Sequence, residues 1–234
     1  MLADQEPGPE RIRAGRGRVL VVGGGRFGAL AALRLGRRVL AVVEPAPSAG
    51  LRASGAELWQ MDGLAGLQKA LALPRPPVWV APCLPRHLFA DWLRAELAER
   101  GCRVRNLPLE PGQVPALPSV MAGRQGQLYL SLTDTLCPDD CAEPARRCPK
   151  TGLPRKQNLY AVLAGLDLAG IKPAVLVSRQ LAPGVGGVRV AGMLAWRETM
   201  ARAGGAWLVA TACRCHGVAE VLSVAPAGGQ GQNA

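Results

Sequence analysis

The sequence predicts an α/β fold in two parts: a parallel sheet wound by helices, then a second, smaller α/β domain built around a cysteine-rich loop. Three observations predict it. Between residues 18 and 108, short runs of β-formers alternate with stretches of helical spacing, the pattern of a sheet wound by right-handed crossovers. Within that region, Arg18 to Glu44 reads without interruption as strand, glycine turn, helix and strand. Farther on, Cys137, Cys141 and Cys148 are separated by turn-formers and almost no apolar residues, so they do not belong to a core.

The run from Arg18 to Glu44 defines the first part. Val19 to Val22 are β-formers, Gly23, Gly24 and Gly25 make a sharp turn, Phe27 to Leu35 favours a helix, and Val39 to Val43 is a second apolar run. Gly23, Gly25 and Gly28 fit G-x-G-x-x-G, in which one glycine permits the turn, one lets the backbone approach a pyrophosphate and one lets helix and strand pack closely. The unpaired amides and positive dipole end of that helix would face the phosphates. Glu44 ends the second strand about twenty residues on, where an acid accepts hydrogen bonds from a ribose. The candidate cofactor-binding residues are therefore Gly23, Gly25, Arg26, Phe27, Gly28 and Glu44, and the cofactor is NAD or NADP, with Arg37 and Arg38 keeping a 2′-phosphate open. Adenosylmethionine-dependent transfer uses a similar loop, but this glycine spacing suits a dinucleotide better. The turn Gly25-Arg26-Phe27-Gly28 resembles that of the nucleotide-binding domains of Trk-type potassium-uptake regulators. The resemblance implies a Rossmann-like, NAD(P)-binding unit and covers the N-terminal half only.

At 234 residues the chain is long enough to bury a substantial core and to form two domains. Its formal net charge of +11 suggests anionic partners. Arginine far outnumbers lysine amid abundant alanine, glycine and proline, however, and aromatic residues for base stacking are few, so nucleic acid is not the expected partner. Residues 1–17 lack the apolar segment of a secretory signal and read as a disordered lead-in, while 225–234 reads as a low-complexity tail. No apolar run is long enough to span a bilayer, so the expected location is cytoplasmic. In that reducing compartment, seven cysteines point to metal binding or redox chemistry rather than to structural disulfides.

Further along the first unit, the spacing predicts a strand at 56–61, a helix at 64–73, a strand at 78–80, a helix opened by Pro85 that runs to about Arg100, and a strand at 102–107. These close a domain at 18–108. Cys83 and His87 follow the fourth strand at its carboxyl end, where open α/β sheets hold ligands, but they read as a small buried cysteine and a helix-surface histidine. The Pro- and Gly-rich stretch 109–118 reads as a linker. A second unit, 119–224, offers strands at 127–132, 174–178 and 206–212, and helices at 158–168 and 190–203.

Cys137, Cys141 and Cys148 need something to fold around. Thiolates converging on a cation supply it, and the binding energy becomes folding energy of the loop. A structural zinc site and a cubane iron–sulfur cluster each take four ligands, so this set is one short. Cys213 and Cys215, with His216 beside them, follow strand 206–212 as the first cysteine loop follows 127–132. If those strands are parallel members of one sheet, both groups emerge at its carboxyl edge, with Cys213 and Cys215 on one side. Gaps of three and six residues, and two Cys-Pro pairs, favour an iron–sulfur centre over zinc, with a metal-free redox thiol set as the third reading. Which of Cys213, Cys215 and His216 completes the site stays open.

Arg179, Gly184, Gly186 and Gly187 fall in a predicted loop between a strand and a helix, where amides and a guanidinium would surround a phosphate or carboxylate. Asp134, Asp139, Asp140 and Glu143 either act as general acids or bases or solvate the cysteine loop. The predicted function is an NAD(P)-binding protein with a cysteine-ligated metal or iron–sulfur centre, redox-linked and in its strongest form an NAD(P)-dependent oxidoreductase. The alternative is a nucleotide-sensing regulatory subunit with a structural zinc, whose partner is a redox or membrane-transporter protein. No residue pattern marks a hydride acceptor.

Overall fold

The computed structural model describes residues 17–227. The expected lead-in and tail lie outside the described residues apart from Gly17 and 225–227. The first elements come in the expected order: β1 (Val19–Val22), α1 (Arg26–Leu35), β2 (Val39–Val43), α2 (Ala49–Arg52), β3 (Leu58–Trp59), α3 (Gly63–Leu71), β4 (Trp79–Pro82) and α4 (Leu88–Glu99). Strands β3, β2, β1 and β4 lie side by side in that order, all parallel. The whole of β1 is buried because helices cover both faces of this sheet. Val19 and Val21 share a core with α1 and α2, whereas Leu20 and Val22 share one with α3 and α4.

A second sheet contains β5 (Arg103–Leu107), β6 (Ser119–Ala122), β7 (Leu128–Ser131), β8 (Ile171–Val177), β11 (Gly205–Ala212) and β12 (His216–Ala225). Its order is β6-β7-β12-β11-β8, with β5 pairing to the far half of β12. Because β12 is antiparallel to both β7 and β11, those two strands run in the same direction on either side of it. The remaining helices are α5 (Leu159–Ala164) and α6 (Val190–Ala203). Side chains alternate cleanly along the central strands. Trp207 and Val209 face the α3, α4 and α6 layer, while Leu208 and Ala210 face α5, so the chain stacks as helix, sheet, helix, sheet, helix. Among the described residues no helix is long and apolar enough to cross a membrane.

Several expectations are corrected here. The predicted loop at Arg179 to Gly187 is a hairpin, β9 (Arg179–Ala182) and β10 (Val185–Arg189), and β10 pairs antiparallel with β4 to extend the first sheet. The strand at 103–107 leaves the first sheet for the second. A boundary at 108 therefore does not separate the two sheets, whose facing sides share one core. The stretch 109–118 is no free linker, since Leu109 and Val114 are buried in the core beneath α5. The first two share a reason, that an open strand edge is covered by whatever strand reaches it and local periodicity carries no record of a distant partner, whereas the third follows from the burial of two apolar side chains.

Polar residues cross the middle layer. Glu220 on β12 is 4% exposed, and a carboxylate so placed needs partners. His87 Nδ1 stands 3.0 Å from Glu220 Oε1 and must be the donor there, since an ionised carboxylate only accepts. Arg94 Nη1 donates to Oε2 at 2.5 Å, and His87 Nε2 stands 3.1 Å from Thr211 Oγ1. Arg94 also pairs with Asp91, which in turn takes Arg86 at 2.8 Å. His87 is thus corrected from a surface to a buried position: α4 starts at Leu88, three residues later than Pro85 implied, and the ring turns into the layer between the sheets.

Burial pushes the Glu220 carboxyl up, but the His87 hydrogen bond and the charges of His87 and Arg94 outweigh it and hold the group below its ordinary value of 4.5. A carboxyl depressed in the folded state stabilises the fold above its unfolded value, and that contribution is lost as the pH falls through the folded value. Glu220→Gln is expected to cost about 2 to 4 kcal/mol near neutral pH. It should also flatten the loss of stability below pH 4.5, read from urea melts on both sides of that value. Parallel acid slopes for the two proteins would exclude Glu220 from the acid response.

Candidate functional site

Gly23, Gly25 and Gly28, in the turn after β1 and the first turn of α1, do three different things. Gly23 has φ +102°, and a Cβ there would lie 2.5 Å from the carbonyl oxygen of Cys83. At Gly28 a Cβ would fall on the carbonyl oxygen of Gly23, so only glycine lets α1 sit this close to the turn. Gly25 has nothing within 4 Å of its Cβ position and opens α1 with no side-chain cap. The first-turn amides there have no intrahelical acceptor to reach. Glu44 is drawn against the same turn, its Oε2 accepting from the Gly24 amide at 2.7 Å and its Oε1 from that of Ala46 at 3.1 Å. With Gly23, Asp62 and Gly63 it lines a cavity of about 200 Å³ at the carboxyl edge of the parallel strands.

A neighbouring cavity of about 420 Å³ is bounded by Phe27, Cys83, Leu84, Ser178 and the Gly184 turn. Cys83 enters it as a neutral thiol, because burial pushes it up to about 12. Arg38 donates to the Leu181 carbonyl at 3.2 Å and is tied to the hairpin.

The structure brings Cys137, Cys141, Cys213, Cys215 and His216 to the wall of one cavity of about 320 Å³, and Phe27 of α1 stands in the same wall. Pairing explains the convergence: His216 at the start of β12 lies opposite Ser131 at the end of β7, and Gly217 opposite Ala212 at the end of β11. Cys148 lies apart, with Cys215, in the wall of another cavity. All seven cysteines are free thiols. Having few apolar residues, the cysteine loop is held by polar pins. Gly184 N–H and Gln180 Nε2 donate to the Cys141 carbonyl at 2.8 and 2.5 Å, Arg34 donates to the Asp139 carbonyl at 2.5 Å, and Arg26 pairs with the Asp139 carboxylate. Glu143, in the left-handed region at φ +46°, accepts from the Arg214 amide at 2.6 Å. Asp139 and Glu143 are therefore fasteners of the loop.

Three of the sulfurs receive backbone amides from two or three residues downstream. Glu143 N–H donates to Cys141 Sγ at 3.4 Å, and those of Cys215 and His216 donate to Cys213 Sγ at 3.4 and 3.3 Å. The hydroxyl of Thr151, then the amides of Thr151 and Lys150, hold Cys148 below the usual thiol range. Amide dipoles aimed at sulfur favour the thiolate. Burial acts the other way, pushing Cys213 up to about 12 and, with the neighbouring thiols, Cys137 up to about 11. Cys215 is raised by burial although Arg155 donates to its sulfur, and burial lowers His216, whose Nε2 is 3.9 Å from Cys137 Sγ. Among the described residues no three His, Cys, Asp or Glu side chains stand in metal-ligand geometry. The donors share a cavity without yet meeting at a point.

The anion loop expected around Arg179 is corrected. Gly186 and Gly187 pair with Gln180 and Arg179 in the hairpin, the Gly184 amide is spent on Cys141, and the Arg179 guanidinium lies 5.9 Å over the Tyr160 ring. Sequence reasoning passed over Arg155, which grips Cys215 Sγ and donates to the Pro144 carbonyl at 2.6 Å. Its signal was the acid-free stretch 144–166, basic around Cys148.

A family of uncharacterized proteins, represented by their C-terminal domain, matches residues 89–225. A protein of Archaeoglobus fulgidus, itself described only as uncharacterized, is 27% identical over 220 residues, covering 87% of this chain and 98% of that one. No solved structure matches.

Gly28→Ala is expected to cost about 3 kcal/mol, since the clash is with backbone that cannot rotate away. Gly25→Ala should stay within about 0.5 kcal/mol of the parent, there being only open space at that Cβ. Chemical denaturation of both variants checks the contrast, and equal losses would refute it.

Proposed function

The chain belongs to that family, and we propose that it is an NAD(P)-binding protein in which a dinucleotide on a Rossmann-like unit exchanges electrons with a cysteine-ligated centre or with a small anionic substrate beside it. The observation that carries this reading is the position of Phe27, which lines both the cavity beside Cys83 and the cavity with four cysteines and His216. Support for the nucleotide comes from the parallel order β3-β2-β1-β4, the uncapped start of α1 and the open space at Gly25. Support for the centre comes from a soft donor set with amides directed at its sulfurs, as second-shell donors are in thiolate sites.

Bound here, a nicotinamide would give up its two electrons as a hydride to a small anionic substrate, which the cysteine-ligated group would polarise. The residues of this chain bind and orient: the amides from Gly25 to Gly28 hold the pyrophosphate, Glu44 exchanges its backbone hydrogen bonds for ribose hydroxyls, and Phe27 screens the sulfurs from water. A second reading is favoured by His216 beside Cys137, a mixed sulfur and nitrogen pair that zinc accepts. Zinc would make the centre structural and the protein a nucleotide-sensing regulatory subunit.

Calorimetric titration with NADH and NADPH should give binding of at least one, and Gly25→Ala should weaken it at least tenfold while leaving the urea midpoint in place. Protein purified without oxygen should be brown and bleach with the nucleotide; colourless protein with stoichiometric zinc supports the second reading. Absence of binding heat for both nucleotides in folded protein would sink the first half of the proposal. Unchanged metal content, or none, across Cys137→Ser, Cys141→Ser and Cys213→Ser would sink the other half.

A further inference from the structure

Cys215 is the one residue that lines both the cysteine cavity and a larger cavity of about 570 Å³ on its other side. That volume suits a small ligand. Its walls are apolar at Leu117, Leu132 and Leu153, and two cations, Arg155 and Lys156, enter it. The single acid in the wall, Asp134, is exposed and so screened by solvent. Arg155 is already positioned: Nε is fixed to the Pro144 carbonyl and Nη1 to Cys215 Sγ, yet Nη2 is buried with no acceptor. A guanidinium already held in one orientation in the wall can take an oxyanion at little further ordering of the side chain.

We propose that this cavity binds a small organic anion, its carboxylate or phosphate held by Arg155 and Lys156 and its apolar body lying against Leu117, Leu132 and Leu153. The site stands on its own walls. Its assignment as the substrate side of the cysteine centre, across Cys215 from the nucleotide, rests on the proposed function. It lies apart from the hairpin glycines and Arg179, where the anion site was expected.

Titration with benzoate and phenyl phosphate, with benzyl alcohol as the uncharged counterpart, tests it. Binding of either anion at least tenfold tighter than the alcohol is expected. Arg155 also fastens the cysteine loop, so the informative variants are Lys156→Ala and Leu153→Asp, both at exposed positions. Each should keep the parent melting temperature and lose at least tenfold in anion affinity. The proposal is overturned if neither anion binds, if benzyl alcohol binds as tightly, or if both variants bind like the parent. NADH titrated into the same samples separates the two claims. NADH binding without anion binding removes this site alone, and the reverse result removes the nucleotide reading while leaving the site.

Discussion

Everything at the site depends on one crossing of the chain between the two sheets. At Ser178, whose amide donates to the Ala212 carbonyl at 2.8 Å, the chain leaves β8 in the second sheet and enters the hairpin that completes the first, where Val188 pairs with Val80 and Arg189 with Trp79. The exchange covers the edge of β4 that a purely parallel unit would leave open. It also sets the hairpin turn beneath the cysteine loop. Gly184 at that turn has φ +67°, and a Cβ there would fall on the Asp139 carbonyl, so the loop lies on the turn as closely as backbone permits. Without the crossing, the carboxyl edges of the two sheets would have no reason to face each other.

Because they do face, four cavities follow one another through shared walls. Leu84 is common to the cavity at Glu44 and the one beside Cys83, Phe27 and the Gly184 turn are common to the second and third, and Cys215 separates the third from the fourth. Both ends carry charge, Glu44 and Asp62 with Arg86 at one and Arg155 and Lys156 with Asp134 at the other. The sulfurs lie between. Burial and crowding hold Cys137 and Cys213 protonated, while the amides on Cys141 and Cys213 are already oriented for charge on sulfur. The proposed cation, shared among them, would resolve that opposition.

Local chemistry was legible in the sequence and distant pairing was not. The turn at Gly23, Gly25 and Gly28 reads correctly because its glycine requirements arise within about ten residues of chain. Because β7 and β11 run the same way, Cys137 and Cys141 share a cavity with Cys213 and Cys215, whereas Cys148, expected with them, lines a different one. Strand β12, which makes that so, was missed: Glu220 in its buried face breaks the apolar alternation, and its partners His87 and Arg94 lie more than a hundred residues away. Pro183-Gly184 and Gly186-Gly187 look alike in a hairpin and in a phosphate loop, and only the edge of β4 decides between them. Arg155 carried no motif at all; its meaning comes from Cys215, sixty residues on.

The buried ion network has a place in the same geometry. His87 lies four residues beyond Cys83, which lines the cavity next to the glycine turn, and Thr211 lies two residues before Cys213. The ring of His87 thus ties the loop after β4 to the end of β11, one on each side of the candidate site. An apolar contact in this layer would tolerate sliding of one sheet over the other. A carboxylate that needs a histidine and an arginine at hydrogen-bonding distance does not, because any slip leaves a charge buried and unpaired. The network fixes the register between the glycine turn and the cysteine loop, which gives so polar a set of residues its place in the middle of the fold rather than at its surface.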